Sequence, residues 1–419
     1  MSKVTDRLAK KRAEWAKLAE TAAAKPAKFG PDIDLTEYVD PADMAEVDTL
    51  KSLDKQMREA ALYAGVDADE TFRSGSYFQV DHTPIYRKVQ EAYNGQLEIM
   101  STSEALEKYE WVQDLWWSAV PVDQDKFTAK AELEQTGGYF IHVFAGQKIE
   151  KPIQACLLLA ESNVSQNVHN LIVIDEGAEA QIITGCTVKN DAAQGIHMGI
   201  SEFFIRKNAS LMFTMIHNWA ESFHVRPRSA TIVEENGTFI NNYILMKPVK
   251  SIQMFPSAVL NGDNARARFN TIISGKKDSY IDVGSKAILT GKNTSAESIA
   301  RTVAYDECAI YARGDLISYV NESKAHLDCR GILFSDKAQI WAIPALAADG
   351  APQAELSHEA AISPIAEEEV EYLQTRGLTK DEAMSTITRG FLNIDIPGLP
   401  PALKSYIDHV LDAADKEAL

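Results

Sequence analysis

From about Tyr139 the sequence breaks into short β-branched and aromatic runs, each interrupted by a polar turn that closes on a small residue. Examples are IVIDEGAEAQII, FFIRKNASLMFTMI, TIVEENGTFINNYI, AVLNGDNARARFNTII, AILTGKNTSAESI, VAYDECAIYARGDLI and GILFSDKAQIWAI. The closing positions Ala178, Ala209, Thr238, Ala265, Thr294, Ala309 and Ala338 recur mostly at about thirty residues, with one step of about half that. A unit this short cannot bury its own apolar face, whereas stacked copies share a continuous core. The pattern predicts a β-helix; an irregular antiparallel β-sandwich is the alternative that periodicity alone leaves open.

The flanks read differently. Val4, Leu8, Trp15, Leu18 and Ala22 lie among charges at near-helical spacing, so Lys3 to about Ala24 is expected to be an amphipathic helix. Helical patterns follow in DTLKSLDKQMREAALYAG, TPIYRKVQEAYNG and STSEALEKYEWVQDLWWSAV, which makes residues 1–138 an α-rich region. Beyond the repeats of residues 139–362, Glu367 to Thr375 reads as a helix stopped by Gly377. Thr379 reads as the N-cap of a second, with Asp381 and Glu382 in its first turn. ALKSYIDHVLDAADKEAL reads as a third, completing a helical module over 363–419. The chain is thus mainly β with helical ends.

At 419 residues the chain is long enough for a large core with appendages. A net charge of −18 gives no general attraction for phosphate backbones, so nucleic acid is not an expected partner. The charged opening MSKVTDRLAKKRAEWAKLAE lacks a secretory apolar segment, and no apolar run reaches membrane-spanning length, so a cytoplasmic protein without membrane contact is expected.

Four cysteines, Cys156, Cys186, Cys308 and Cys329, are too scattered for a disulfide framework, and no C-x-x-C occurs. Metal ligands would have to come from distant residues or a second chain. Cys329 and His358 are separated by roughly one step of the repeat, so stacking could bring them onto adjacent rungs. Glu359 would then point to the opposite face. A thiolate with imidazole suits iron or an iron–sulfur cluster, against the plainer reading of a buried inert cysteine. Cys156 and Cys186, similarly spaced, read as two small core residues that could stack. His142, His169, His197, His217, His224 and His326 read as core or surface imidazoles, as do His82 and His409. No Walker-type loop, G-x-S-x-G elbow or H-E-x-x-H is present.

IHNWAE at 216–221, NESKAHLDCRGILFSDKAQIWAIPAL, LSHEAAISPI and above all EEEVEYLQTRGLTKDEAMSTITRGFL resemble the SufB/SufD family of the SUF iron–sulfur cluster assembly system. The resemblance implies a right-handed parallel β-helix between helical ends, paired through that β-helix with a second SufB or SufD subunit. It implies C-terminal helices that dock the SufC ATPase, and a transient cluster at the subunit interface. The cluster cysteine of SufB matches Cys329, and the implicated histidine and glutamate match His358 and Glu359. Sulfur would come from a donor protein and leave, as cluster, to apo-protein acceptors. Two positions depart from many bacterial SufB sequences: Ser357 replaces a glutamate, and HMGISE, with Met198, replaces an HCAVVE-like strand whose cysteine receives sulfur. Cys329 with His358 and Glu359 favours a SufB-like or undivided SufB/SufD protein, and with it a homodimer. Two other expectations stand beside the scaffold: a β-helix carbohydrate-active enzyme, which needs paired carboxylates in a cleft, and a purely structural interaction protein using the solenoid edge.

Overall fold

The computed structural model describes residues 3–39, 41, 43–70, 72–189 and 194–392. The last helix expected from the sequence, and His409 with it, lie outside them.

The repeats form a parallel β-solenoid of about eight turns with helices at both ends. One sheet stacks Ile153–Leu159, Glu179–Val188, Ser210–Asn218, Thr238–Leu245, Arg266–Gly275, Thr294–Ala304, Ser323–Leu333 and Glu355–Ser363 in parallel order. The opposite sheet runs from Tyr139–Val143 through Val164–Ile174 and Gly195–Ile205 to Tyr280–Leu289, Ala309–Ser318 and Gln339–Ala348. Alternate side chains point inward, so Ile182, Leu211, Phe239, Ala267, Ala296 and Ala325 stack into one apolar core.

The turns explain the spacing. Asn208, Asn236, Asn264 and Asn293 sit at positive φ, a region that asparagine tolerates better than most residues. The side-chain amide of Asn236 donates to Asn208 Oδ1 at 2.8 Å, and that of Asn264 to Asn236 Oδ1 at 3.0 Å, so successive turns are stitched together. The small residue after the turn, such as Ala209 or Ala265, is buried against the next coil.

The N-terminal region corrects one expectation. TPIYRKVQEAYNG is not an α-helix: Thr83–Val89 is a strand, antiparallel to Gly75–Val80, which itself pairs in parallel with Ile153–Leu159, and only Glu91–Tyr93 makes a short 3-10 turn. Ile85, Val89 and Tyr93 mimic a helical stripe, but Thr83–Val89 is the sheet's edge strand, where Pro84 is tolerated. The solenoid's sheets therefore begin inside the segment read as α-rich.

The helices cover the outer faces. Lys3–Ala22 buries Leu8, Trp15, Ala19 and Ala22 against Trp116, Trp117 and the outward-facing Phe140, Leu171 and Ile200. Lys380–Leu392 lies against Thr294–Ala304, and its Leu392 joins an outer apolar cluster with Ile244, Ile272, Val303 and Ile332. Thr379 caps that helix, accepting from the Glu382 N–H while the Glu382 carboxylate accepts from the Thr379 N–H. Gly377, at φ +96°, ends Glu367–Thr375. Among the described residues no helix is long and apolar enough to cross a membrane.

Candidate functional site

The last coil leaves the solenoid open. Gln339–Ala348 pairs only with Ala309–Ser318, and Glu355–Ser363 only with Ser323–Leu333, so each has one unpaired backbone edge among the described residues. Residues that continue the interior stack are here partly exposed, with Leu346 at 38 %. Three strands of the first sheet place Cys329. Ala300 stands opposite it on one side and Ala360 on the other, and its thiol faces inward at 3 % exposure.

His358 stands opposite Leu327, so it is offset by two residues from Cys329 and shares its inward face on the neighbouring rung. Its Nε2 is buried and has no hydrogen-bond partner. Glu359 stands opposite Asp328 and faces out, 3.7 Å from the Arg330 guanidinium. Asp328 also holds Arg301 at 2.6 Å and Arg330 at 3.1 Å. The strand thus brings Cys329 and His358 to one face and separates Glu359 from both. Burial pushes the Cys329 thiol up to about 11, with Asp328 adding to the rise and Arg301 opposing it. The thiol is protonated at neutral pH, and ligation of a metal would have to displace that proton.

Cys156 and Cys186 do not stack. Leu157, not Cys156, stands opposite Cys186, and a one-residue change of register moves a side chain to the other face. Cys156 therefore lies on the outside under Lys55–Tyr63, and Cys186 lies in the interior. There it meets two histidines that the sequence reading treated as ordinary core residues. The potential ligand atoms of Cys186, His197 and His217 lie within 4.8 Å of one another. The signal was available in the repeat, because Cys186 and His217 are direct partners across adjacent strands. The remaining strand histidines have ordinary partners: His142 with Asp175 at 2.7 Å, His169 with Glu202 at 2.9 Å, His224 with Ser251 at 2.7 Å and His326 with Ser357 at 2.8 Å.

Burial holds His197 down to about 3 and His224 to about 4, and pushes His217 well below its ordinary value. Because these folded values lie below the unfolded one near 6.5, the unfolded chain binds more protons as pH falls. Stability is therefore full above about pH 6.5 and is lost on acidification toward pH 4, at up to about 1.4 kcal/mol per pH unit for each of the fully buried His197 and His217 and by less for the partly solvated His224. Urea unfolding of EDTA-treated protein is expected to shift to lower denaturant between pH 6.5 and 4.5, less steeply in His224→Gln. A midpoint that does not move over that interval would contradict the burial of these rings.

The SufBD core domain of SUF system FeS cluster assembly matches residues 157–391. An iron–sulfur cluster assembly SufBD family protein of Methanothermobacter thermautotrophicus is 44% identical over 406 residues, covering 96% of this chain and 98% of its own. One from Archaeoglobus fulgidus is 46% identical over 362 residues, 86% of this chain and 96% of its own. The assembly protein SufB of Bacillus subtilis is 26% identical over 381 residues, 88% of this chain and 79% of its own. With the solenoid, the helical ends and a matched core domain that spans more than half its length, the chain belongs to the SufBD family of SUF iron–sulfur cluster assembly proteins.

Proposed function

We propose that this chain is a scaffold on which an iron–sulfur cluster is assembled and from which it is transferred, rather than an enzyme with a reaction of its own. The observation that carries this reading is the inward pair Cys329 and His358 beside the open last coil, one a soft donor and the other an imidazole whose Nε2 has no protein partner. The cluster is cargo: Cys329 supplies thiolate and His358 holds iron. Glu359 faces away from them within one chain, and in this reading its contribution comes only across a subunit boundary.

A second SufB/SufD-type subunit, here a second copy, completes the site by covering the unpaired edges of Gln339–Ala348 and Glu355–Ser363. Free strand edges and exposed interior side chains favour such pairing. A SufC-like ATPase docks on the C-terminal helices, where Glu368, Glu369, Tyr372, Leu373 and Ile387 line a surface groove. A sulfur donor feeds the site and apo-proteins drain it, in the cytoplasm.

The test is cluster transfer from anaerobically reconstituted protein to an apo-ferredoxin. Cys329→Ser and His358→Ala are each expected to lower the transfer yield at least tenfold relative to wild type. Transfer by Cys329→Ser at the wild-type level would refute the reading.

A further inference from the structure

Six coils before the open end, the interior of the solenoid stops being apolar. Cys186 on Glu179–Val188 and His217 on Ser210–Asn218 are neighbours in adjacent coils, and His197 reaches them from Gly195–Ile205 on the opposite sheet. Their exposures are 0%, 2% and 1%. Sequestering polar groups this deeply is costly unless each finds a partner.

Among the described residues, each ring is held at Nδ1, and the far side of His217 has no partner. His197 Nδ1 lies 2.9 Å from Gln166 Oε1, an acceptor, so Nδ1 carries the proton and Nε2 presents a lone pair. His217 Nδ1 lies 3.1 Å from the Tyr243 hydroxyl, while its Nε2 is buried with no hydrogen-bond partner. Among the described residues the Cys186 thiol has the thioether of Met215, 3.6 Å away. Trp219 closes the chamber, its ring centroid 5.0 Å from that of His197 and 5.9 Å from that of His217.

An imidazole held by a hydrogen bond at one nitrogen and left free at the other is the usual arrangement of a metal-ligating histidine, whose outer partner fixes the tautomer and the ring's aim. His217 has this arrangement, and His197, held at Nδ1, and the Cys186 thiol converge on it. We propose that Cys186, His197 and His217 bind a borderline transition-metal cation of the Fe2+ or Zn2+ class inside the solenoid, with the Met215 thioether beside the open fourth position. On binding, the Cys186 S–H bond breaks, its proton leaves to solvent and a sulfur–metal bond forms; no electrons are exchanged. A tetrahedral centre with metal–ligand lengths of about 2.0–2.3 Å holds its donors roughly 3.3–3.7 Å apart, so modest side-chain rotations close the observed set. The site shares no residue with Cys329 and His358, and its existence does not depend on them.

The experiment uses full-length protein stripped with a chelator and titrated anaerobically with Co2+ as the spectroscopic probe. Wild type and Cys329→Ser are both expected to develop the thiolate-to-cobalt charge-transfer band and intense tetrahedral ligand-field bands. Cys186→Ala is expected to lose the charge-transfer band, and His217→Gln to bind cobalt at least tenfold more weakly. Near-UV circular dichroism without metal checks that both variants retain the fold. X-ray absorption at the metal edge of protein isolated without chelator separates resident zinc from iron, and one S and two N donors in the first shell with either metal support the proposal. No charge-transfer band in wild type, or an undiminished band in folded Cys186→Ala, overturns it. Loss of the band in Cys329→Ser with retention in Cys186→Ala would overturn it while sparing the cluster site.

Discussion

Glu202→Ala is expected to cost about 3–5 kcal/mol, the range for removing one member of a buried charged network. The Glu202 carboxylate is fully buried and accepts the backbone N–H groups of Trp117 at 2.7 Å, Ala119 at 2.7 Å and Val120 at 3.0 Å, with His169 Nε2 at 2.9 Å. To wrap this carboxylate, Trp117 adopts φ +56°, a strained conformation for a bulky residue that persists only where its surroundings fix it. Trp116 stacks on His169 with centroids 3.6 Å apart, so the same contact seats the N-terminal helices on the second sheet. Alanine would orphan two buried N–H donors, of Trp117 and Val120, and the part-buried one of Ala119 at once. Glu202→Gln keeps one acceptor oxygen but turns an NH2 toward N–H donors, and is expected to cost roughly half as much. Urea unfolding followed by tryptophan fluorescence reads both, because Trp116 and Trp117 sit at the contact. A change below about 1 kcal/mol for Glu202→Ala would mean that the N-terminal region is held by its apolar face alone.

The second large effect concerns assembly. Leu346 stands opposite Leu316 and continues the interior stack, yet it is 38 % exposed at the open end of the solenoid. If a second copy covers this end, Leu346→Arg places an unpaired cation in an apolar interface. It should weaken self-association at least a hundredfold, about 2.8 kcal/mol. Because the side chain is exposed in the single chain, thermal stability of the monomer should change little. Analytical ultracentrifugation of wild type and variant over a concentration series gives the answer. An unchanged sedimentation profile would move the interface away from the last coil.

How much of this was legible depended on parity. The strand–turn–strand repeat announced stacked coils, and the small residues that close the turns marked real positions. The device that sets them was the asparagine one residue earlier, at Asn208 and Asn264, recognisable only once the turn's positive φ is known. Spacing alone put Cys329 and His358 on adjacent rungs, and their two-residue offset keeps them on one face. Cys156 and Cys186 are the small core residues the sequence favoured, on adjacent strands, but their single-residue offset puts them on opposite faces and rules out stacking. His197 could not be joined to Cys186 from the sequence, because it arrives from the opposite sheet and its place depends on how the coil closes. TPIYRKVQEAYNG misled because an edge strand, paired on one side, does not require strict alternation.

The most direct test of the scaffold reading is the iron and acid-labile sulfide bound per chain after anaerobic reconstitution, with the visible spectrum, in wild type beside Cys329→Ser. The account predicts comparable amounts of iron and sulfide with a cluster absorption in wild type, and a loss of most of both in the variant. Equal iron and sulfide in the two proteins would contradict it.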